Sequence, residues 1–277
     1  MLIFDIGGTF IKYAIVEDGK IIDKAKVATP NGTEIVNCLV NIYNNFKTQY
    51  TINHIGISSA GQIDKPTGSI RYAGPTIPKY TGVRLKEELE AITSIPVDVV
   101  NDVEACIYNY DNIPNLMYMS LGTGIGGAFK YNQQILDGEN GGALEIGHMY
   151  HPAGDTFENI CSTRSLLEKY TEKSGIIING EQFDNLIHAG DKLALEIEAE
   201  YFTNLTCGII NLRHVLDFNL VIIGGGITEA KFFTVEKIID RLPLNQYKEL
   251  LNNLEIKISE YGNDALIYGV YKYISID

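Results

Sequence analysis

The chain of 277 residues is 45% hydrophobic and 21% charged, a globular composition long enough for one large core or two modest ones. Its formal net charge of −13 argues against a nucleic-acid partner, and no apolar run approaches the roughly 20 residues of a membrane helix, so no membrane partner is expected either. The four cysteines, at 38, 106, 161 and 207, form no CxxC pair, and Met1 leads straight into a predicted strand without room for a signal peptide; a reduced, cytoplasmic protein is expected.

Leu2-Ile3-Phe4 reads as a buried strand with Asp5 at its carboxyl end, followed by Gly7, Gly8, Thr9 and Lys12. Glycines let the backbone turn tightly against a ligand, and free N–H groups with one hydroxyl and one ammonium suit phosphate oxygens. Asp5 would repel phosphate, so its sensible partner is the Mg²⁺ that travels with a nucleotide. An ordinary hairpin is the competing reading. Strands follow at Tyr13 to Val16 and Lys20 to Val27, then an amphipathic helix over 33–50. Ile55 to Gly61 is a strand entering a small-residue loop, 64–68 is a plain turn, and a helix is expected from Val83 to Ile92. A strand over Pro96 to Val100 ends at Asn101-Asp102.

Around 113 the layout restarts. Leu116 to Leu121 is a strand, 122–127 a second glycine turn, and Ala128 to Tyr131 and Gln134 to Leu136 two more strands. Strand, glycine-threonine turn and hairpin thus recur, which points to an internal duplication. Helices are expected from Ser162 to Lys173 and from Asp191 to Leu216. Asn219 to Ile223 is a strand running into Gly224-Gly225-Gly226, with a helix from about Glu229, a strand over Glu255 to Ser259, and a last helix over Ala265 to Ile274. The expected domains are 1–113 and 114–262, with 263–277 packing back on the first.

The three glycine turns, with an acid closing a strand between the first two, resemble the ROK family of sugar kinases and repressors, which has the actin-like ATPase fold. The resemblance runs the length of the chain. It implies an α/β protein of two ribonuclease H-like domains flanking a central cleft, acting on a sugar and ATP, and a homodimer. Asp5 to Lys12 looks like the family's first phosphate motif, Leu121 to Ala128 with Gly138 to His148 its signature, and Val221 to Ile227 its adenosine turn. Gly7, Gly8, Thr9, Lys12, Gly122, Thr123, Gly124, Gly225 and Gly226 are then nucleotide-binding, and Asp5 holds Mg²⁺ through the nucleotide.

A sugar hydroxyl is a poor nucleophile, and a carboxylate that aims it and takes its proton supplies what the reaction lacks. Asp102 is the expected base, with Asn101 and Gly61 beside it on the sugar. A helix N-cap is the competing role for Asp102. The resemblance also assigns Glu145, His148 and Glu158 to sugar hydroxyls, each carboxylate accepting two donors; the competing reading of Glu158 is a solvated residue at a helix start. Most family members carry a cysteine-rich zinc segment after the histidine. Here nine residues without cysteine separate His148 from Glu158, so the zinc site is read as deleted, and a hydrogen bond must steady His148 in the metal's place. Glu104 is a second departure, adding negative charge near Asp102.

An ATP-dependent kinase acting on the 6-hydroxyl of a hexose or N-acetylhexosamine is therefore expected. A repressor would carry a helix-turn-helix domain ahead of the first strand, and a non-catalytic sugar sensor would not need Asp5, Thr9, Lys12 and Asp102 intact. Small residues at Ala73 and Gly74 leave room for an acetamido group, which favours N-acetylmannosamine over the alternatives, a glucokinase or a β-glucoside kinase.

Overall fold

The computed structural model describes residues 1–139, 141–151 and 154–276. Its contacts fall into two compact units: residues 1–111, 137–143 and 264–277, and residues 112–136 and 144–263.

The first unit contains β1 (Leu2–Ile6), β2 (Phe10–Glu17), β3 (Lys20–Ala28), α1 (Ile35–Phe46), β4 (Ile55–Ser59), β5 (Gln62–Asp64), β6 (Ser69–Tyr72), α2 (Leu85–Thr93), β7 (Val97–Asn101) and α3 (Asp102–Ile107). Its sheet runs β3-β2-β1-β4-β7, antiparallel through the hairpins and parallel from β1 to β7. β1 and β4, flanked on both sides, are buried at all five positions and mostly apolar, the exceptions being Asp5, Ser58 and Ser59 at their carboxyl ends. One sheet face packs against Ile35, Leu39, Leu85 and Leu89 of α1 and α2. The other packs Ile3, Ala14 and Val100 against Ala105 of α3 and Ile267 and Val270.

The second unit contains β8 (Leu116–Leu121), β9 (Ile125–Tyr131), β10 (Gln134–Ile135), β11 (Tyr150–His151), β12 (Asp155–Thr156), α4 (Phe157–Cys161), α5 (Thr163–Ser174), α6 (Gly180–His188), α7 (Lys192–Leu216), β13 (Leu220–Gly224), α8 (Val235–Ile239), α9 (Leu244–Leu251) and β14 (Glu255–Ile258). Its main sheet, β10-β9-β8-β13-β14, has the strand directions of the first. Two sheets with one topology on one chain are what the repeated layout predicts. The last helix, α10 (Ala265–Ser275), belongs to the first unit, where a Cβ on Gly269 would fall 2.0 Å from the Ala105 carbonyl on α3.

Several expected elements are redrawn. β9 begins at Ile125, because Leu121 pairs with Ile125, so the second glycine turn is only residues 122–124. No long helix starts near Glu229: a 3-10 turn over Gly226–Glu229 comes first and α8 waits until Val235. Residues 64–68 turn between two strands, β5 and β6, too short to show a period. α6 and α9 were not expected, although Asn179 and Gln182 form a capping box that marks the start of α6. Among the described residues no helix is long and apolar enough to cross a membrane.

Candidate active site

In the first unit the parts converge on the ends of β1, β4 and β7. Register puts Asp5 between Lys12 on β2 and Ser58 on β4. Asp5 is 5% exposed, accepts from Ser58 Oγ at 3.3 Å, and lies 3.7 Å from Lys12 Nζ. Burial raises the carboxyl's pKa, and neither Lys12 nor Ser58 fully offsets it. The following turn is closed by the Gly7 N–H, which donates to Phe10 O at 3.1 Å, while Thr29 Oγ1 donates to Gly7 O at 2.6 Å. Gly7 therefore shapes the turn with both its N–H and its carbonyl. Gly8 is glycine for a second reason: a Cβ there would be 2.1 Å from Thr76 Cγ2.

Asn101 closes β7 and caps α3, its Oδ1 accepting from Val103 N at 2.9 Å and Glu104 N at 3.1 Å. The cap role weighed for Asp102 falls to its neighbour: Asn101 is the cap and Asp102 the first helical residue. Asp102 Oδ1 accepts from Val103 N at 2.8 Å, and the helix amino end favours a negative charge there. Asn101 Nδ2 donates to Gly61 O at 3.0 Å, joining two of the expected sugar residues. Gly61 has φ +97° and a Cβ would meet Tyr72 O at 2.6 Å, whereas Gly74 has nothing within 4 Å of its Cβ position. Glu104 does not face away from the protein. It is 8% exposed, pairs with Lys65, and its carboxyl pKa is raised by burial despite that partner.

In the second unit Gly122 is spent in the same way as Gly7, its N–H donating to Gly124 O at 2.9 Å. Glu158 leaves α4 and reaches this turn: Oε2 accepts from Ile125 N at 2.9 Å and Oε1 from Arg164 at 3.2 Å. A Cβ on Gly124 would lie 2.4 Å from Glu158 Oε2, so glycine at 124 is what admits the carboxylate. Glu158 is therefore partly buried and bonded, unlike the solvated residue of the competing reading. Arg164, which holds it, was not expected; it lies two residues into α5 and carries no motif.

Glu145 precedes the 3-10 turn Ile146–His148 and His148 closes it, with their side chains 41% and 67% exposed and 3.9 Å apart. Backbone bonds fix the chain on either side of the imidazole. His148 N donates to Glu145 O at 3.0 Å and Phe157 N to Met149 O at 2.8 Å, with β11 and β12 paired between. Cys161 points into the core against Tyr201 O, fully buried, its thiol pKa pushed up by burial. At the third glycine turn Gly225 has φ +99°, and a Cβ would be 2.1 Å from Leu121 O; the next position, Gly226, is open. The expected stretch 138–142 includes Asn140, which lies outside the described residues.

A family model described as the ROK family matches residues 1–274. A β-glucoside kinase of Klebsiella pneumoniae is 29% identical, the match covering 98% of this chain and 94% of that protein. An N-acetylmannosamine kinase of Escherichia coli is 28% identical, covering 91% of this chain and 90% of its own. Among solved structures, a ROK family protein from Streptococcus pneumoniae in complex with sucrose is 25% identical, covers 99% of this chain and 97% of its own, and superposes with a TM-score of 0.83.

Proposed function

The chain belongs to the ROK family and is a sugar kinase of it; from that premise we propose that it transfers the γ-phosphoryl group of ATP to the 6-hydroxyl of N-acetylmannosamine. The observation that carries the chemistry is the division of labour at 101 and 102. With Asn101 engaged as cap, the Asp102 carboxylate accepts from the Val103 N–H at the amino end of a helix. There it takes the proton from the sugar hydroxyl as the O–P bond forms and the bond to the β-phosphate oxygen breaks, the electron pair leaving on ADP.

The donor set around Asp5 fits magnesium, since a buried carboxylate beside the Ser58 hydroxyl offers hard oxygen donors, with the Lys12 ammonium paired 3.7 Å away. Asp5 would hold the ion that accompanies the nucleotide, which supplies charge neutralisation on the phosphates. Gly8, Thr9, Lys12, Thr123, Gly124, Gly225 and Gly226 are the residues assigned to the nucleotide. Gly61, Asn101, Glu145, His148 and Glu158 are assigned to the sugar.

The choice of sugar rests on Gly74, whose Cβ position is open, and on Ala73 beside it. Spare room rejects a smaller sugar weakly, by about 1–3 kcal/mol for each missing apolar contact. Glucose and β-glucosides are therefore the competing substrates, and relatives carry both kinds of name. A coupled assay across a sugar panel tests the choice: N-acetylmannosamine should give the highest kcat/KM. Gly74→Val, whose Cβ would have nothing within 4 Å, should harm that substrate more than glucose. Glucose or a β-glucoside as the better wild-type substrate would sink the substrate assignment while leaving the kinase assignment standing.

A further inference from the structure

Residues 61–65 touch both pieces of the first unit on which the sugar reading depends. On one side lies the first turn of α3: Gly61 O accepts from Asn101 Nδ2, and Lys65 Nζ pairs with Glu104 Oε1. On the other lies the glycine-rich segment 137–143. Lys65 Nζ also donates to Asp137 Oδ1, a Cβ on Gly141 would come 3.2 Å from Ile63 O, and one on Gly142 2.9 Å from Gln62 Nε2. That segment leads along the chain to Glu145 and His148. One ammonium thus serves two carboxylates from residues 104 and 137, far apart in sequence. Glu104 is buried and also accepts from the Tyr108 hydroxyl at 3.5 Å. A buried carboxylate stripped of its cation is strongly unfavourable, and here it would also face Asp137 unscreened.

We propose that Lys65 is a positioning residue of the kinase, fixing the first turn of α3, and with it Asp102, in register with the 137–143 segment. The proposal rests on the reading of Asp102 as the base. It also accounts for Glu104, whose charge near the base is neutralised within the chain. A purely structural Lys65 would affect stability alone. A positioning Lys65 affects turnover and both segments together.

Lys65→Met, Lys65→Arg and Lys65→Met/Glu104→Gln are compared with wild type for kcat, both KM values, Tm and amide hydrogen exchange over 101–107 and 137–143. Lys65→Met should lose about tenfold in kcat while the KM for ATP stays within about twofold. Lys65→Arg should restore most of the loss, and the double variant part of it, because Glu104 no longer carries a charge. Exchange should quicken in both segments in Lys65→Met and recover in Lys65→Arg. Wild-type kcat in Lys65→Met, a loss that Lys65→Arg leaves unrestored, or quickened exchange in one segment alone overturns the proposal. Exchange is measured without substrate. A wild type inert on every sugar, with both segments loosened by Lys65→Met, therefore sinks the kinase reading and not the clamp. If Lys65→Met does not fold, Asp137→Ala decides: quicker exchange over 137–143 with a raised sugar KM supports the clamp, and no change in either overturns it.

Discussion

Asn101 and Asp102 occupy adjacent positions with the same capping propensity, and the backbone separates their work. The Asn101 amide satisfies Val103 and Glu104 N–H and still reaches Gly61, so Asp102 is not consumed as a cap. Asp102→Asn keeps the shape and cannot take a proton; kcat should fall by roughly 10²–10⁴ while sugar and ATP binding stay within a few-fold. Near-normal turnover would return Asp102 to a structural role. The place of Asp102 at the junction of β7 and α3 was legible in the sequence, whereas its reading as a base came from the family resemblance, a helix cap being the competing role. The Lys65–Glu104 pair was not, since its members are separated by a strand, a helix and another strand and share no motif. Gly7 and Gly122 were expected to offer their amides to phosphate, but each N–H closes its own turn. A sequence pattern shows where a tight turn falls and says little about which donors the turn itself uses.

Among the elements, the central strands and the amphipathic helices were the readable part, because apolar runs and 3.6-residue periods survive in the folded chain. The short pieces were not: β11 and β12 have two residues each, below any periodicity, and α8 has five. The strand-to-turn junction after β13 gives a sharp test of glycine. At Gly225 both the left-handed φ and the 2.1 Å approach to Leu121 O oppose a side chain. Gly225→Ala should cost about 1–3 kcal/mol in stability and raise the KM for ATP more than that for the sugar. Gly226→Ala, with open space at its Cβ, should leave Tm near wild type. Equal Tm losses in the two variants would show that the turn is not held by that close approach.

For the whole molecule, the duplication is complete in topology and incomplete in charge. Asp5 pairs in register with Lys12 and Ser58, and the corresponding place on β8 is Ser120, which pairs with Gly126 and Gly224. The acid and the lysine belong to the first unit alone, which suits two halves assigned to different parts of one reaction. The shortened segment after His148 gives the metal prediction. It is held by backbone pairing, and Cys161 is sequestered in the core. Purified protein should contain far less than one zinc per chain and keep its Tm after dialysis against a chelator; stoichiometric zinc on elemental analysis would refute this.

The return of α10 to the first unit has a consequence for how the protein is made. Asn109 Nδ2 bonds to Ala265 O at 2.8 Å, and Ile267 and Val270 complete the core beneath α3. A ribosome makes those residues only after every strand of both sheets, so the earliest-synthesised unit is the one that must wait. The second unit, apart from the 137–143 excursion, is continuous from 112 to 263 and has all its parts while α10 is still unmade. Translation order and completion order are reversed, and the helix bearing Asp102 gains its cover only at the last step.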